Sequence, residues 1–268
     1  MVFAPPGGCI PTKMPALFIG HGSPMNAIED NAWRRSWQAL GEVLPRPSAI
    51  LCISAHWETN GIAVTAAARP DTIYDFYGCP QALFDVRYGA PVDPALARRV
   101  ADLLAPTPVD MDLVRGLDHG VWSVLVAMYP KADIPVVQLS MPVKQTPQAH
   151  YEIAQHLAPL RDEGVLILGS GNVVHNLRYW RSHEPAMATA WTRFNDEVKS
   201  RIKAGDHAAL AAYTTLDPEA LLLVPTPEHY LPLLYVLGVQ APDESVEIFN
   251  DTDGAAIFMT SVQIGRAA

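Results

Sequence analysis

The sequence predicts an α/β fold: a single three-layer α/β/α domain around a mostly parallel central sheet. Two observations carry this expectation. Short β-branched runs alternate along the chain with segments whose apolar residues recur at helical spacing. Several of those runs are apolar throughout, as in strands covered on both faces.

Taken in order, residues 1–14 are rich in proline and glycine and read as an irregular extension. Residues 16–19 form the first strand, and Trp33, Trp37, Leu40 and Leu44 mark the first helix. Strands follow at 49–54 and 62–66. Residues 69–92 have no period but many aromatic, proline and glycine residues, which suits a long ordered loop over a pocket and equally a surface excursion folded onto the core by its own aromatics. Leu96, Val100, Leu103 and Leu104 define the next helix. Asp118 is placed to cap another through 121–128. A strand at 134–140 precedes a helix carrying His150, Ile153, Ala154 and Leu157, and 165–169 is the next strand. Trp191, Phe194, Val198 and Ile202 face one side of a further helix. Pro227 suits the first turn of a helix through 230–237, and strands at 246–250 and 256–264 close the chain. There is no internal repeat, and the whole of 1–268 reads as one catalytic domain.

Composition narrows the function classes. A net charge of −9 speaks against a nucleic-acid groove and gives no reason to expect an anionic membrane surface. No apolar run reaches the length of a membrane span, and the N-terminus lacks the apolar stretch of a signal peptide. Cys9, Cys52 and Cys79 are too few, and odd in number, for a disulfide framework. These features predict a reduced, cytoplasmic protein, with a homo-oligomer allowed.

The informative residues are histidines. His21 follows the first strand in Gly20-His21-Gly22-Ser23-Pro24, and His56 ends the second in Ser54-Ala55-His56. His119 stands in Asp118-His119-Gly120, His175 ends Gly169-Ser170-Gly171-Asn172-Val173-Val174-His175, and His229 ends Pro225-Thr226-Pro227-Glu228-His229. All five sit where a strand ends or a helix begins, the ligand-bearing edge of an open α/β sheet. Imidazole is the commonest metal ligand and a proton shuttle at neutral pH, so five on one edge suggest a metal site. Gly169-Ser170-Gly171 offers backbone N–H groups to an anion, although a tight turn is the simpler reading. His150 reads as semi-buried on a helix, while His156, His183 and His207 have polar neighbours and read as solvent-facing. There is no Gly-x-Ser-x-Gly elbow and no His-Glu-x-x-His, so nucleophilic and zincin-type chemistry lack support.

These segments, with Ser54-Ala55-His56-Trp57, Tyr74-Asp75-Phe76-Tyr77-Gly78, Gly116-Leu117-Asp118-His119-Gly120-Val121-Trp122 and His175-Asn176-Leu177-Arg178, occur in one order. Together they resemble the type III, or LigB-type, extradiol ring-cleaving dioxygenases, most closely the DOPA-4,5-dioxygenase-like subgroup. The resemblance runs from about Ala16 to the C-terminus. It implies a non-haem metal at one end of the sheet, with His21, His56 and His229 as ligands. It implies His175 as the general base, or as a fourth ligand, and His119 as a second acid/base group. The substrates would be a small aromatic diol and O2. Fe(II) would bind both hydroxyls while a histidine near its unperturbed pKa removes a phenolic proton. A second histidine would return a proton as the ring opens. Tyr77 or Phe76 in the aromatic loop would stack on the ring. Arg178, one helical turn beyond His175, could meet a substrate carboxylate, but a lone Arg on a helix is more often a surface charge.

One departure bears on the metal. Fe(II) oxygenases commonly use two histidines and a carboxylate, whereas the third position here is His229. Three neutral imidazoles with a water also make a hydrolytic zinc site. Zn(II) in the purified protein, and a zinc-dependent hydrolase built on the same histidines, are therefore the alternatives. Glu228 reads as a partner of a ligand rather than a ligand itself.

Overall fold

The computed structural model describes residues 13–179, 185–251 and 257–265. Its strands are β1 (Ala16–Gly20), β2 (Ala49–Thr59), β3 (Ile62–Thr65), β4 (Val109–Asp112), β5 (Val136–Pro142), β6 (Val165–Gly171), β7 (Val246–Phe249) and β8 (Ser261–Ile264). The helices are α1 (Ala32–Val43), α2 (Gln81–Phe84), α3 (Pro94–Leu104), α4 (His119–Met128), α5 (Pro147–Gln155), α6 (Pro159–Asp162), α7 (Pro185–Ala204), α8 (His207–Ala211), α9 (Ala220–Leu223) and α10 (Leu231–Gly238).

All eight strands join one sheet in the order β4-β3-β5-β2-β6-β1-β8-β7. The centre is parallel, with β2 against β5 and β6, and β6 against β1. Antiparallel pairs occur where β8 meets β1 and β7, and where β3 meets β5. The apolar central runs are explained by burial on both faces. Leu17, Ile19, Ile50 and Cys52 join one core with Trp37 of α1 and Trp122 and Leu125 of α4. Phe18, Leu51 and Ile53 point the other way, toward Val100 of α3, Ala154 of α5, Phe194 of α7 and Leu233 of α10. The three-layer α/β/α expectation holds.

Helix α10 is buried on every side. Eight residues make a marginal helix in isolation, but burying leucines such as Leu233, Leu234 and Leu237 is worth roughly 2 kcal/mol each. Packing rather than propensity holds it. It comes close to β6: a Cβ on Gly169 would lie 2.5 Å from the Pro232 carbonyl oxygen. The Gly-Ser-Gly segment is therefore strand, not an anion cradle or a tight turn, and its glycines make room for α10.

Several other sequence expectations are corrected. Strand β4, Val-Asp-Met-Asp, was not expected because it is a polar edge strand with no buried residue. The last strand begins only at Ser261; residues 252–256 lie outside the described residues, and Ile257 makes an isolated bridge to His175. Pro227 precedes α10 rather than opening it, its carbonyl accepting the N–H groups of Tyr230 and Leu231, and Pro232 occupies the first turn. Asp118 stands at the N-cap of α4 without a side-chain capping bond. Among the described residues, no helix is long and apolar enough to cross a membrane.

Candidate functional site

The three adjacent parallel strands β2, β6 and β1 end on one edge, and the five singled-out histidines gather there. His21 follows β1, and Gly22 turns the chain through φ +58°, a conformation that favours glycine. His56 lies inside β2, which continues to Thr59 where the sequence had suggested an end near residue 54, at the point where its register against β5 shifts between Ile53 and Glu58. Such an irregularity re-aims side chains. His119 is the first residue of α4, His175 follows β6, and His229 precedes α10.

Ring centroids of His21, His56 and His229 lie 5.1–5.5 Å apart. His119 is 4.0 Å from His56, and His175 stacks on His229 at 3.5 Å with planes 8° apart. His21, His119 and His229 are buried, while His56 and His175 are half-buried. By reach, ligand atoms fall into two neighbouring trios: His21, His56 and His119, and His175, Glu228 and His229.

The other histidines lie elsewhere. His150 is buried and pairs with Tyr235 Oη at 3.0 Å. His156 is exposed as expected, and His183 lies outside the described residues. His207 is not simply solvent-facing: its ring bridges Tyr151 Oη and the Gln240 amide, both at 3.0 Å.

Hydrogen bonding fixes two of the rings. Ser170 Oγ donates its one proton to the Gly120 carbonyl at 2.5 Å, so toward His21 Nδ1, 3.0 Å away, it can only accept. The proton of His21 is therefore on Nδ1, and its Nε2 is a bare lone pair. That lone pair faces His56 Nε2 at 3.1 Å. Glu228 Oε1 likewise accepts from His229 Nδ1 at 3.1 Å. This leaves His229 Nε2 bare, buried and without a hydrogen-bond partner. A buried unpaired acceptor is costly, and bare imidazole nitrogens lining one cavity are what a divalent metal requires. The donor set fits a metal ion.

Electrostatics agree. Burial, then the neighbouring rings, push His21 well below its ordinary pKa, and burial with His119 and His229 does the same to His56. Burial also lowers His229, against the pull of Glu228, and brings His175 down to about 3. These four rings are neutral at physiological pH. The expectation of a His175 near its unperturbed value fails because the ring is desolvated beside another imidazole. Burial would raise Glu228, but its hydrogen bond and charge interaction with His229 hold it at about 2.

The histidines open on a cavity of about 610 Å³, within the usual range for small-molecule sites. Its far wall is the aromatic loop expected between 69 and 92, which supplies Asp75, Phe76, Tyr77 and Cys79. Phe76 sits edge-on to His119 at 5.7 Å and is held by Tyr74, Phe84 and Trp122. Tyr77 is 96% exposed at the mouth. Leu177 lines the cavity, but Arg178 does not: it is exposed, as a surface charge would be, on a turn where the sequence had suggested a helix.

Sequence reasoning missed the partners behind the histidines. Asp118, fully buried, accepts from Ser54 Oγ at 2.7 Å, Arg115 Nη2 at 3.2 Å and the Gln138 amide. Arg115 Nη2 also donates to the His56 carbonyl at 3.0 Å. Ser170 and Asp75 were missed too. Asp75 Oδ1 accepts from both the backbone N–H and Nδ1 of His119, at 3.1 and 2.8 Å. Nothing local marks these residues, because each acquires its partner only through the tertiary fold.

With this geometry in place, comparison with known proteins decides the family. The profile of the catalytic LigB subunit of aromatic ring-opening dioxygenase matches residues 15–255. The chain belongs to the LigB family. It is 51% identical to the 4,5-DOPA dioxygenase extradiol of Escherichia coli K12, over 95% of this chain and 96% of that protein. It is 41% identical to the 4,5-DOPA dioxygenase extradiol of Beta vulgaris, over 89% and 91%. A crystal structure of an uncharacterized Escherichia coli K12 protein superposes with a TM-score of 0.80 at 46% identity, covering 94% of this chain and 100% of that one. As a LigB-family member the chain is an extradiol dioxygenase, an oxidoreductase that takes an aromatic substrate and O2. Its buried histidine group can hold a metal ion.

Proposed function

We propose that this LigB-family dioxygenase depends on Fe(II) held by His21, His56 and His229, and that it opens the ring of a catechol-type, DOPA-like substrate. The single observation that carries the metal is His229 Nε2, a buried bare acceptor with no partner, in the same cavity as the bare Nε2 of His21. When bound, Fe(II) supplies positions for both ring oxygens and for O2. Three neutral imidazoles suit Zn(II) equally, so purified protein can carry zinc and need iron reconstitution.

The chain's own groups do the rest. His175 is neutral and presents a lone pair at the cavity wall; lowered to about 3 in the metal-free site it is a weak base, and it would accept a phenolic proton from a diol that a bound metal had made more acidic. His119, across the cavity with its Nδ1 proton held by Asp75, would take up a proton on its bare Nε2 and return it as the ring opens. Phe76 gives the substrate ring an apolar face and, with Tyr77, Leu177 and Ile257, limits water. Arg178 is left out of the substrate contacts because it lines no described wall. The relatives named as 4,5-DOPA dioxygenases support the catechol class.

Two variants test the assignment under anaerobic Fe(II) loading. His175→Ala is expected to keep its metal and lose ring cleavage, and loss of metal there would make His175 a fourth ligand. His21→Ala is expected to lose the metal. Stoichiometric metal in His21→Ala overturns the ligand set.

A further inference from the structure

We propose that Asp75 is a positioning residue shared by a metal ligand and an acid/base histidine, one carboxylate setting the tautomer of both His56 and His119. The inference rests on the metal-site reading above. Asp75 reaches the site from the loop between β3 and α2, and its two oxygens serve different rings. Oδ1 takes the backbone N–H and Nδ1 of His119. Oδ2 lies 3.4 Å from Nδ1 of His56. A carboxylate only accepts, so Nδ1 of His119 carries the proton through its hydrogen bond, and at ion-pair distance the negative charge of Oδ2 favours the proton on the facing Nδ1 of His56. The lone pairs of both rings are then on Nε2, with that of His56 toward His21 Nε2 at 3.1 Å.

The same residue anchors the start of α4. Asp118 makes no side-chain capping bond, and the free N–H of His119 is taken by Asp75 across the chain. The helix end, the His119 ring and the His56 ring are thereby referred to one side chain. His21 and His229 have separate acceptors, Ser170 and Glu228. Asp75 ties a proposed ligand to a proton-transfer group, whose ring centroids are 4.0 Å apart.

Two substitutions separate the hydrogen bond to His119 from the charge contact with His56. Asp75→Ala removes both acceptors. Asp75→Asn keeps an oxygen for His119 but turns an N–H donor toward His56 Nδ1, which favours the wrong His56 tautomer for a ligand. Metal affinity is measured by anaerobic competition with a chromophoric chelator, and kcat by oxygen uptake per bound metal with a catechol. Both variants are expected to bind metal about 10- to 100-fold more weakly, the usual effect of losing a ligand's hydrogen-bond partner. Asp75→Asn is expected to recover kcat per bound metal about tenfold or more over Asp75→Ala. Wild-type metal affinity in both variants, or equal kcat per metal in the two, overturns the proposal. A wild-type enzyme that binds metal but takes up no oxygen with any catechol refutes the catechol-dioxygenase reading instead, and the affinity comparison still decides the role of Asp75.

Discussion

Gly171→Ala should detach the metal site from its scaffold at modest cost to the fold. A Cβ built on Gly171 lies 2.1 Å from the His229 carbonyl oxygen, against 3.4 Å where ordinary contact begins. The two backbones must separate by the difference, 3.4 − 2.1 = 1.3 Å. The Asn172 N–H bound to that same oxygen at 2.8 Å leaves little slack. Overpacking of this kind costs about 1–3 kcal/mol, which a chain of this size tolerates. Metal–ligand distances, by contrast, are held to about 0.2 Å, and a displacement near 1 Å costs on the order of 100-fold in activity. Chelator competition on anaerobically loaded protein should therefore show metal affinity down by about 100-fold, while urea unfolding of the metal-free form shifts by only a few kcal/mol. Gly61→Ala, where a Cβ meets nothing within 4 Å, is the matched control. Metal affinity in Gly171→Ala within about threefold of wild type would refute the claim that β6 holds His229 in place.

Three further outcomes follow from the same contacts. Ser170→Ala removes the acceptor for His21 Nδ1, and a chelator titration should find metal affinity about 10- to 100-fold lower. His150 is buried beside Tyr235, with its pKa lowered from 6.5 to about 4, so the unfolded chain binds a proton more readily between those values. The metal-free protein should thus lose stability as pH falls from 6.5 toward 4, by at most about 3 kcal/mol from this group. His150→Gln should flatten that slope in urea melts at stepped pH, and an unchanged slope refutes the assignment. Arg161 is fully buried, with Met14 and Val239 carbonyls and both Glu244 oxygens as partners. Glu244→Ala should destabilise by roughly 3 kcal/mol through the stranded guanidinium, with Glu244→Gln costing less by the same unfolding assay.

What the sequence reveals depends on how local the physics is. Strands buried on both faces announce themselves, because Leu17, Phe18, Ile50 and Leu51 must all be apolar. β4 does not, since an edge strand has no face to bury and Val-Asp-Met-Asp reads as loop. The histidines were legible because strand ends and helix starts are local features and the sheet collects them on one edge. Their partners were not. Ser170 looked like part of a turn, Asp118 like a helix cap and Asp75 like a loop residue. Each is defined by a side chain 44 to 149 positions away along the chain for Asp75 and Ser170, and 64 for the Ser54–Asp118 pair. His207 was misread for the same reason: polar neighbours in sequence say nothing of Tyr151 and Gln240 in space.

Bare imidazole nitrogens lining one cavity are proposed to hold an ion with which O2 and a catechol give a ring-opened product. The most direct measurement loads the metal-free protein anaerobically with Fe(II), removes excess metal, and admits a catechol and isotopically labelled O2. One iron per chain, one O2 consumed per ring opened, a yellow ring-fission chromophore and both labelled atoms in the product are expected. Iron-loaded protein that consumes no oxygen across a panel of catechols, while its zinc form cleaves esters or amides, would contradict the proposal.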